Sequence, residues 1–309
     1  MPGVVTFGQF GRWGRAGNQF FQYAFLKCYT RRHGLELQLP KWVGSHLFGC
    51  SDPEPNASLR PWKEVGRGHS QPTTPKEGEL INRDFKGYAQ YHTSWYTEEE
   101  RGYLRSLFTP IPAIQERMVV AVNTLRDSSR LVIGLHLRRG DYGQNIFPIV
   151  PTDWYLSWLN RHWHLLDNPS LFIATEDPSL VPLFQKYSPR TVETLGLELD
   201  KEPMANCTYL KRDEETHDPR AMDWYPDFHL LSQCDVVIGP NSSFSFFATM
   251  LNPHPSVSYW RGSLAAARRT ERKRPFVLTD PWNNYPQLRE DVRDYPELDG
   301  IALKSNPYW

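Results

Sequence analysis

Two adjacent arginines at the end of an apolar run are the residues of this chain best suited to chemistry. In LVIGLHLRRGDYG (131–143), a strand-like stretch leads into His136, Arg138, Arg139, Gly140 and Asp141. Side chains alternate along a strand, so His136 and Arg138 share one face while Leu135 and Leu137 take the other. A guanidinium at such an end can fork onto phosphate oxygens through two parallel hydrogen bonds. Gly140 lets the backbone turn sharply, and Asp141 can brace a guanidinium. From position alone, an anion clamp and a surface Arg–Asp pair are equally good accounts. An integrin-type Arg-Gly-Asp display needs a protruding extracellular loop, and a strand end behind four apolar residues argues against it.

A second constellation is DVVIGPNSSFSFFATML (235–251). A strand ends at Gly239-Pro240, and Asn241, Ser242 and Ser243 then open a helix. Unbonded N–H groups at a helix start, flanked by hydroxyls, form an anion site. Ordinary N-capping explains one serine but does not require Ser242, Ser243 and Ser245 together. The third is GRWGRAGNQFFQYA (11–24), a glycine-rich loop carrying Gly17 and Asn18 into a helix. It lacks both the G-x-G-x-x-G spacing and a Walker lysine, so neither dinucleotide nor P-loop readings are supported. No D-x-D pair occurs, the ten histidines show no H-x-x-x-H or H-E-x-x-H spacing, and no G-x-S-x-G elbow is present. Two candidate anion sites without a metal-ligand pattern lead us to expect no metal or cofactor, with protein groups alone neutralising a diphosphate.

The elements that must position these residues follow from periodicity. Residues 4–7 read as a first strand, FFQYAFLKCYTRR as a helix stopped by Gly34, and 35–39 as a second strand. Residues 51–78, rich in Pro, Gly and polar types, read as a long loop with little structure of its own, of the kind often used for binding. A strand and turn over 84–95 precede helices at 97–108 and 112–126. The pattern then restarts: strand 131–137, helix 151–163 with Thr152 or Asp153 as N-cap, strand 171–175, helix 178–187, helix 221–233, strand 236–238, helix 243–251 and strand 257–259. Short apolar strands alternating with helices predict parallel, doubly wound sheets. The fold class expected is therefore α/β, with two Rossmann-like lobes facing a cleft. The lobes are expected at 1–127 and 128–275, and a tail at 276–309 is expected to pack back on the first lobe.

Composition narrows the partners. Across 309 residues the formal net charge is zero, which argues against bulk nucleic-acid binding; RRTERKR (268–274) is the only dense basic run and suits a solvated segment. Eleven Trp, fifteen Tyr and sixteen Phe serve equally as core or as faces for sugar rings. The opening MPGVVTFGQFGRWG has no basic region ahead of a long apolar run, and no stretch of about 18 apolar residues occurs, so neither a signal peptide nor a membrane span is expected. Cys28, Cys50, Cys207 and Cys234 lack C-x-x-C spacing, which predicts free thiols and a cytoplasmic location. On that expectation the sequons at Asn56, Asn206 and Asn241 are chance matches.

The motifs GRAGNQFFQYA, KGYAQYHTSW, HLRRGDY and IGPNSSFSFFATML resemble, in the same order, those of bacterial-type alpha-1,2-fucosyltransferases. That family carries G-x-x-GNQ-x-FQYA, GYFQ-like, H-x-RRGDY and NSSFSWWAAWL-like segments, and the resemblance spans roughly residues 14–251. PDFHLLSQCD (226–235) is similar to the stretch before the serine motif in alpha-1,6-fucosyltransferases. The resemblance implies a GT-B architecture of two Rossmann-like lobes and metal-independent, inverting transfer from GDP-fucose to a glycan acceptor. It implies that Arg139 and Arg138 grip the diphosphate, that His136 contacts the nucleotide or braces the clamp, and that Gly17 and Asn18 serve the donor. It further implies that Asp227 accepts hydrogen bonds from guanine, and that Ser242, Ser243 and Phe244 flank diphosphate and base.

Several positions depart from the family pattern. Phe246-Phe247 replaces a double tryptophan, ATEDP (174–178) stands where the family has an FSDD-like element, and Arg15-Ala16 replaces the usual leucine. Asn145-Ile146 stands where alpha-1,6 relatives place a carboxylate, so no catalytic base carries over; Glu176, Asp177 and Asp141 are the candidates. Tyr88, Tyr91, Trp95 and Tyr96 are expected to shape an acceptor site with the 51–78 loop. Two alternatives remain at this level: a GDP-sugar transferase of other linkage (alpha-1,6 or alpha-1,3) or other sugar, and a non-catalytic glycan-binding or adhesion protein.

Overall fold

The computed structural model describes residues 3–56, 58–66, 71–127, 129–140, 142, 149–201, 207, 220–254, 256–269 and 275–288. The chain divides into two compact units, Met1–Gln115 with Asp200–Trp224, and Glu116–Leu199 with Tyr225–Trp309. Each is an α/β unit built on a mainly parallel sheet.

The first unit contains β1 (Val4–Thr6), α1 (Ala16–His33), β2 (Glu36–Gln38), α2 (Gly44–Leu47), β3 (Arg60–Lys63), β4 (Arg83–Lys86) and α3 (Glu98–Leu107). Its four strands run parallel in the order β2-β1-β4-β3. Because β2 lies on one side of β1 and β4 on the other, the chain reverses its direction of winding between β1 and β4. That switch point is where open α/β sheets form ligand crevices, at the carboxyl ends of the strands. Aromatic side chains fill the core: Phe7 sets its ring edge to Phe10 and to Phe85, and Phe20 packs against Phe48, Phe108 and Trp224. The last contact ties the chain around 224 to this unit.

The helix α4 (Pro112–Arg126) begins in the first unit and runs into the second. There follow β5 (Leu131–Leu137), α5 (Thr152–His162), β6 (Pro169–Thr175), a 3-10 helix over Pro178–Tyr187, α6 (Tyr225–Leu231), β7 (Val236–Gly239), α7 (Ser243–Leu251), β8 (Ser258–Gly262), α8 (Leu264–Arg269) and β9 (Phe276–Thr279). The sheet order is β6-β5-β7-β8-β9, parallel except for the β8–β9 pair. Here the switch point lies between β5 and β7. Its core gathers Ile133, Leu135 and Leu137 with Tyr155, Leu159, Leu171, Ile173, Ile238 and Phe276. Among the described residues no helix is long and apolar enough to cross a membrane.

Four sequence expectations are corrected. The units exchange near 115, 199 and 224 rather than once near 127, because α4 is shared and the chain returns to the first unit at about 200. Within the expected 276–309 tail, the start is a strand of the second unit, β9, and 289–309 lies outside the described residues. The 51–78 loop contains β3, paired in parallel with β4 over four residues. Neither Thr152 nor Asp153 caps α5; Pro151 occupies that position, without a side-chain capping bond.

Phe276 is 5% exposed, and its ring meets Tyr155 edge-on at 4.9 Å. Phe276→Ala should therefore cost about 3–5 kcal/mol in urea unfolding, as expected for a core phenylalanine. A loss under about 1 kcal/mol would remove β9 from the core.

Candidate functional site

Both arginines sit where β5 ends. The backbone turns there through Gly140, whose φ of 56° is left-handed, and the turn closes with Tyr142 N–H donating to Arg139 O (3.0 Å). Arg138 forms an ion pair with Glu176, which follows the last residue of the neighbouring strand β6; the two side chains are 13% and 18% exposed. The same carboxylate accepts the backbone N–H of Arg139 (2.9 Å). Arg139 turns the other way: its guanidinium donates to Thr152 Oγ1 (2.8 Å), Arg138 O (3.0 Å) and Val150 O (3.4 Å). An Arg-Gly-Asp display is disfavoured, since its arginine is packed onto α5. Asp141 lies outside the described residues.

His136, 5% exposed, faces the same side as Arg138. Among the described residues its Nδ1 makes no hydrogen bond. Burial first, and then the charges of Arg138 and Arg139, push its pKa down to about 3, so the ring is neutral at physiological pH. Its ring lies 5.2 Å from that of Phe244, which in turn meets Phe228 edge-on at 5.3 Å.

Phe244 belongs to the first turn of α7, whose start lies at the carboxyl end of β7. Ser242 is the N-cap, its hydroxyl accepting Phe244 N–H (3.3 Å). Asn241, Ser242, Ser243 and Ser245 are all buried. The first acidic residue of α6 is Asp227, half-buried beside Phe228. Thus His136, Arg138, Arg139, Glu176, Ser242, Ser243, Phe244 and Asp227 all lie in the second unit, the arginines and serines on the two strands flanking its switch point.

Gly17 and Asn18 lie in the first unit, in the first turn of α1 and beside that unit's own switch point. Asn18 Oδ1 accepts from Gln90 Nε2 (2.6 Å), and Gln90 is buried in the segment after β4. Gly14 has φ 80°, and a Cβ there would come within 1.9 Å of Asn18 Nδ2, so only glycine leaves room for this amide. Glu64, 5% exposed, fixes the same segment by accepting the N–H groups of Tyr88 (3.0 Å) and Ala89 (2.9 Å). The sequence gives no signal for Glu64, because it is read there as part of a loop.

Some expected roles meet other uses. Tyr91 and Tyr96 are core residues, 3% and 5% exposed, and are not available to an acceptor. Trp95 is covered by the Arg32 guanidinium at 3.9 Å, while Tyr88 stays half-buried against Trp13. Asp177 caps the 3-10 helix by accepting from Ser179 N–H (3.1 Å). Phe246 and Phe247, which stand for the family's tryptophans, are fully buried. Among the described residues no three His, Cys, Asp or Glu side chains gather as a metal site.

This geometry can be set beside known proteins. No protein-family model matches the chain. Galactoside alpha-(1,2)-fucosyltransferase 1 of Ateles belzebuth is 27% identical over 252 residues, and that of Mico humeralifer 26% over 252. The alignments cover 77% of this chain and 63% of the relatives. Among solved structures, NodZ alpha-1,6-fucosyltransferase soaked with GDP-fucose superposes with a TM-score of 0.53 at 13% identity, covering 91% of this chain and 99% of that one. Arabidopsis thaliana FUT1 in complex with GDP gives 0.51 at 12% identity, covering 84% and 70%. The chain is thus similar in sequence to alpha-(1,2)-fucosyltransferases and in fold to fucosyltransferases of known structure. It spans about 63% of the length of the curated relatives it matches, and the structural likeness is one of fold.

The buried histidines set an acid limit on stability. His136 is lowered to about 3, and burial lowers His229 to about 4, against about 6.5 in an unfolded chain. Between those values only the unfolded state takes up the protons, so stability is full above about pH 6.5 and drains as pH falls toward 4. At about pH 5 each histidine should remove about 2 kcal/mol, measurable by urea unfolding across the range. His136→Asn should flatten part of that slope; an unaltered slope would mean that His136 is not buried in its neutral form.

Proposed function

We propose that the chain is an inverting, metal-independent transferase that moves L-fucose from GDP-fucose to a glycan hydroxyl, forming an alpha-1,2 linkage. The observation that carries this reading is the placement of Arg138, Arg139 and the start of α7 at the two strand ends of one switch point. That arrangement suits a diphosphate, and the relatives matched by sequence carry alpha-(1,2)-fucosyltransferase names. Their names also make a galactoside the first acceptor to test.

In transfer, the bond from fucose C1 to the β-phosphate oxygen breaks while the acceptor oxygen approaches C1 from the opposite face. Negative charge builds on the departing GDP. Arg139, the Arg138–Glu176 pair beside it and the N–H groups opening α7 lie in fixed positions, so they stabilise that charge without reorganising. His136 adds no third positive charge and offers a ring nitrogen for hydrogen bonding. Ser242 and Ser243 line the diphosphate side, Phe244 offers a ring to the base, and Asp227 accepts from guanine N1–H and N2–H2. We assign Glu176 to bracing both arginines and Asp177 to capping, rather than to proton abstraction; an oxocarbenium-like state lets a weakly activated hydroxyl suffice, and its proton leaves to solvent water as the new bond forms. Asn18, oriented by Gln90, holds its amide at the first unit's own switch point. The four cysteines carry free thiols, which suits the cytoplasm, where we place the protein.

Arg139→Ala should lower transfer from GDP-fucose at least about 100-fold with an unchanged melting temperature, read by GDP release and product analysis. Near-normal turnover would remove Arg139 from the donor site. A panel of GDP-, UDP- and ADP-sugars should give GDP release with GDP-fucose alone, and linkage analysis should find fucose on O2. Glycan binding without any affinity for GDP would instead make the chain a lectin.

A further inference from the structure

One buried residue in the second unit joins three segments that are far apart in the chain. Asn241 is 7% exposed. Its side chain makes a two-point contact with the backbone of Leu288, Nδ2 donating to Leu288 O (2.6 Å) and Oδ1 accepting Leu288 N–H (2.8 Å). Its own carbonyl accepts the hydroxyl of Tyr142 (2.9 Å). Its C-terminal neighbour is Ser242, the N-cap of α7.

Each partner has a second attachment. Tyr142 is 8% exposed; its N–H closes the arginine turn, and the Arg138 guanidinium lies 5.4 Å from the centre of its ring. The face of an aromatic ring attracts a cation, so Tyr142 supports Arg138 from beneath while its hydroxyl reaches the serine loop. The segment ending at Leu288 is held independently by Arg261, a residue 2% exposed. Arg261 donates to Tyr285 O (2.7 Å), Pro286 O (3.4 Å) and Asn284 Oδ1 (2.8 Å). A fully buried guanidinium donating to two main-chain carbonyls and a side-chain amide oxygen anchors that segment firmly.

We propose that Asn241 and Tyr142 are positioning residues for the donor site. On this proposal, Asn241 fixes the opening of α7 by gripping the anchored segment 284–288, and Tyr142 transmits that position to the arginine turn. Two anion-binding pieces on separate strands, the arginines after β5 and the N–H groups after β7, are thereby kept at one spacing. Neither residue need touch the ligand. The proposal rests on the donor-site reading given above.

The test is a double-mutant cycle on GDP affinity by calorimetry, with melting temperatures in parallel. Tyr142→Phe removes one hydroxyl and keeps the ring; Asn241→Ala removes the grip on Leu288 and keeps the carbonyl that Tyr142 uses. Each should weaken GDP binding about five- to tenfold, as the loss of one or two buried hydrogen bonds implies. If the two act through one linkage, the double variant should be little worse than the weaker single one, whereas independent residues would multiply. Steady-state rates should show the loss mainly in KM for GDP-fucose. Lower melting temperatures with unchanged GDP affinity, or strictly multiplicative losses, overturn the proposal. Absence of GDP binding by the unaltered chain would defeat the donor-site reading itself, a result separable from the others because it appears before any substitution is made.

Discussion

Two guanidinium groups on consecutive residues repel each other, and the carboxyl edge of the second sheet is organised around that repulsion. At an effective dielectric constant of about 20, two unit charges some 5 Å apart oppose each other by about 3 kcal/mol. The structure answers by separating the pair. Arg138 is turned toward Glu176 and over the face of Tyr142, while Arg139 is turned toward Thr152 and two carbonyls. Both lie close to a histidine that burial holds neutral.

The same logic of fixed donors operates at the switch point of the first sheet, with amides in place of guanidinium groups. Asn18 can occupy its position because Gly14 has no side chain, and its amide is oriented because Gln90 uses its oxygen. Gln90 follows Ala89, which holds a left-handed backbone with φ 53°, a conformation alanine seldom adopts unaided. Glu64 supplies the aid by binding the N–H groups of both Tyr88 and Ala89. A buried carboxylate, a strained alanine and a glycine therefore serve one asparagine. Strain of this kind persists where surrounding bonds over-determine it.

How far the sequence disclosed this depends on the range of the interactions. Strands β1 and β5 and helices α1, α4 and α7 were legible because periodicity and caps are local. So was the placement of residues 136–139 at a strand end, since the apolar run and the two arginines are adjacent in the chain. β3 was not legible: RPWK has no apolar alternation and is a strand only because β4 lies beside it. Thr152 carries the type of an N-cap, but its hydroxyl goes to Arg139, thirteen positions earlier in the sequence. Tyr91 and Tyr96 read as sugar-facing aromatics, yet tertiary packing against Phe25 and the rest of the core claims them. In each case a partner distant in sequence decided what a locally ambiguous residue does.

Asn241 brings the argument to one position. As a tripeptide, Asn241-Ser242-Ser243 spells a glycosylation sequon, as Arg139-Gly140-Asp141 spells an integrin ligand, and both spellings require exposure. The Asn241 amide is instead consumed by the backbone of Leu288, and the Arg139 guanidinium by α5 and its approach. The Asn241 side chain could not be modified without dismantling the strand end that carries the candidate site. Burial decides against the sequon reading there. The amide is an internal fastening of the segment that opens α7, and a fastening must face inward.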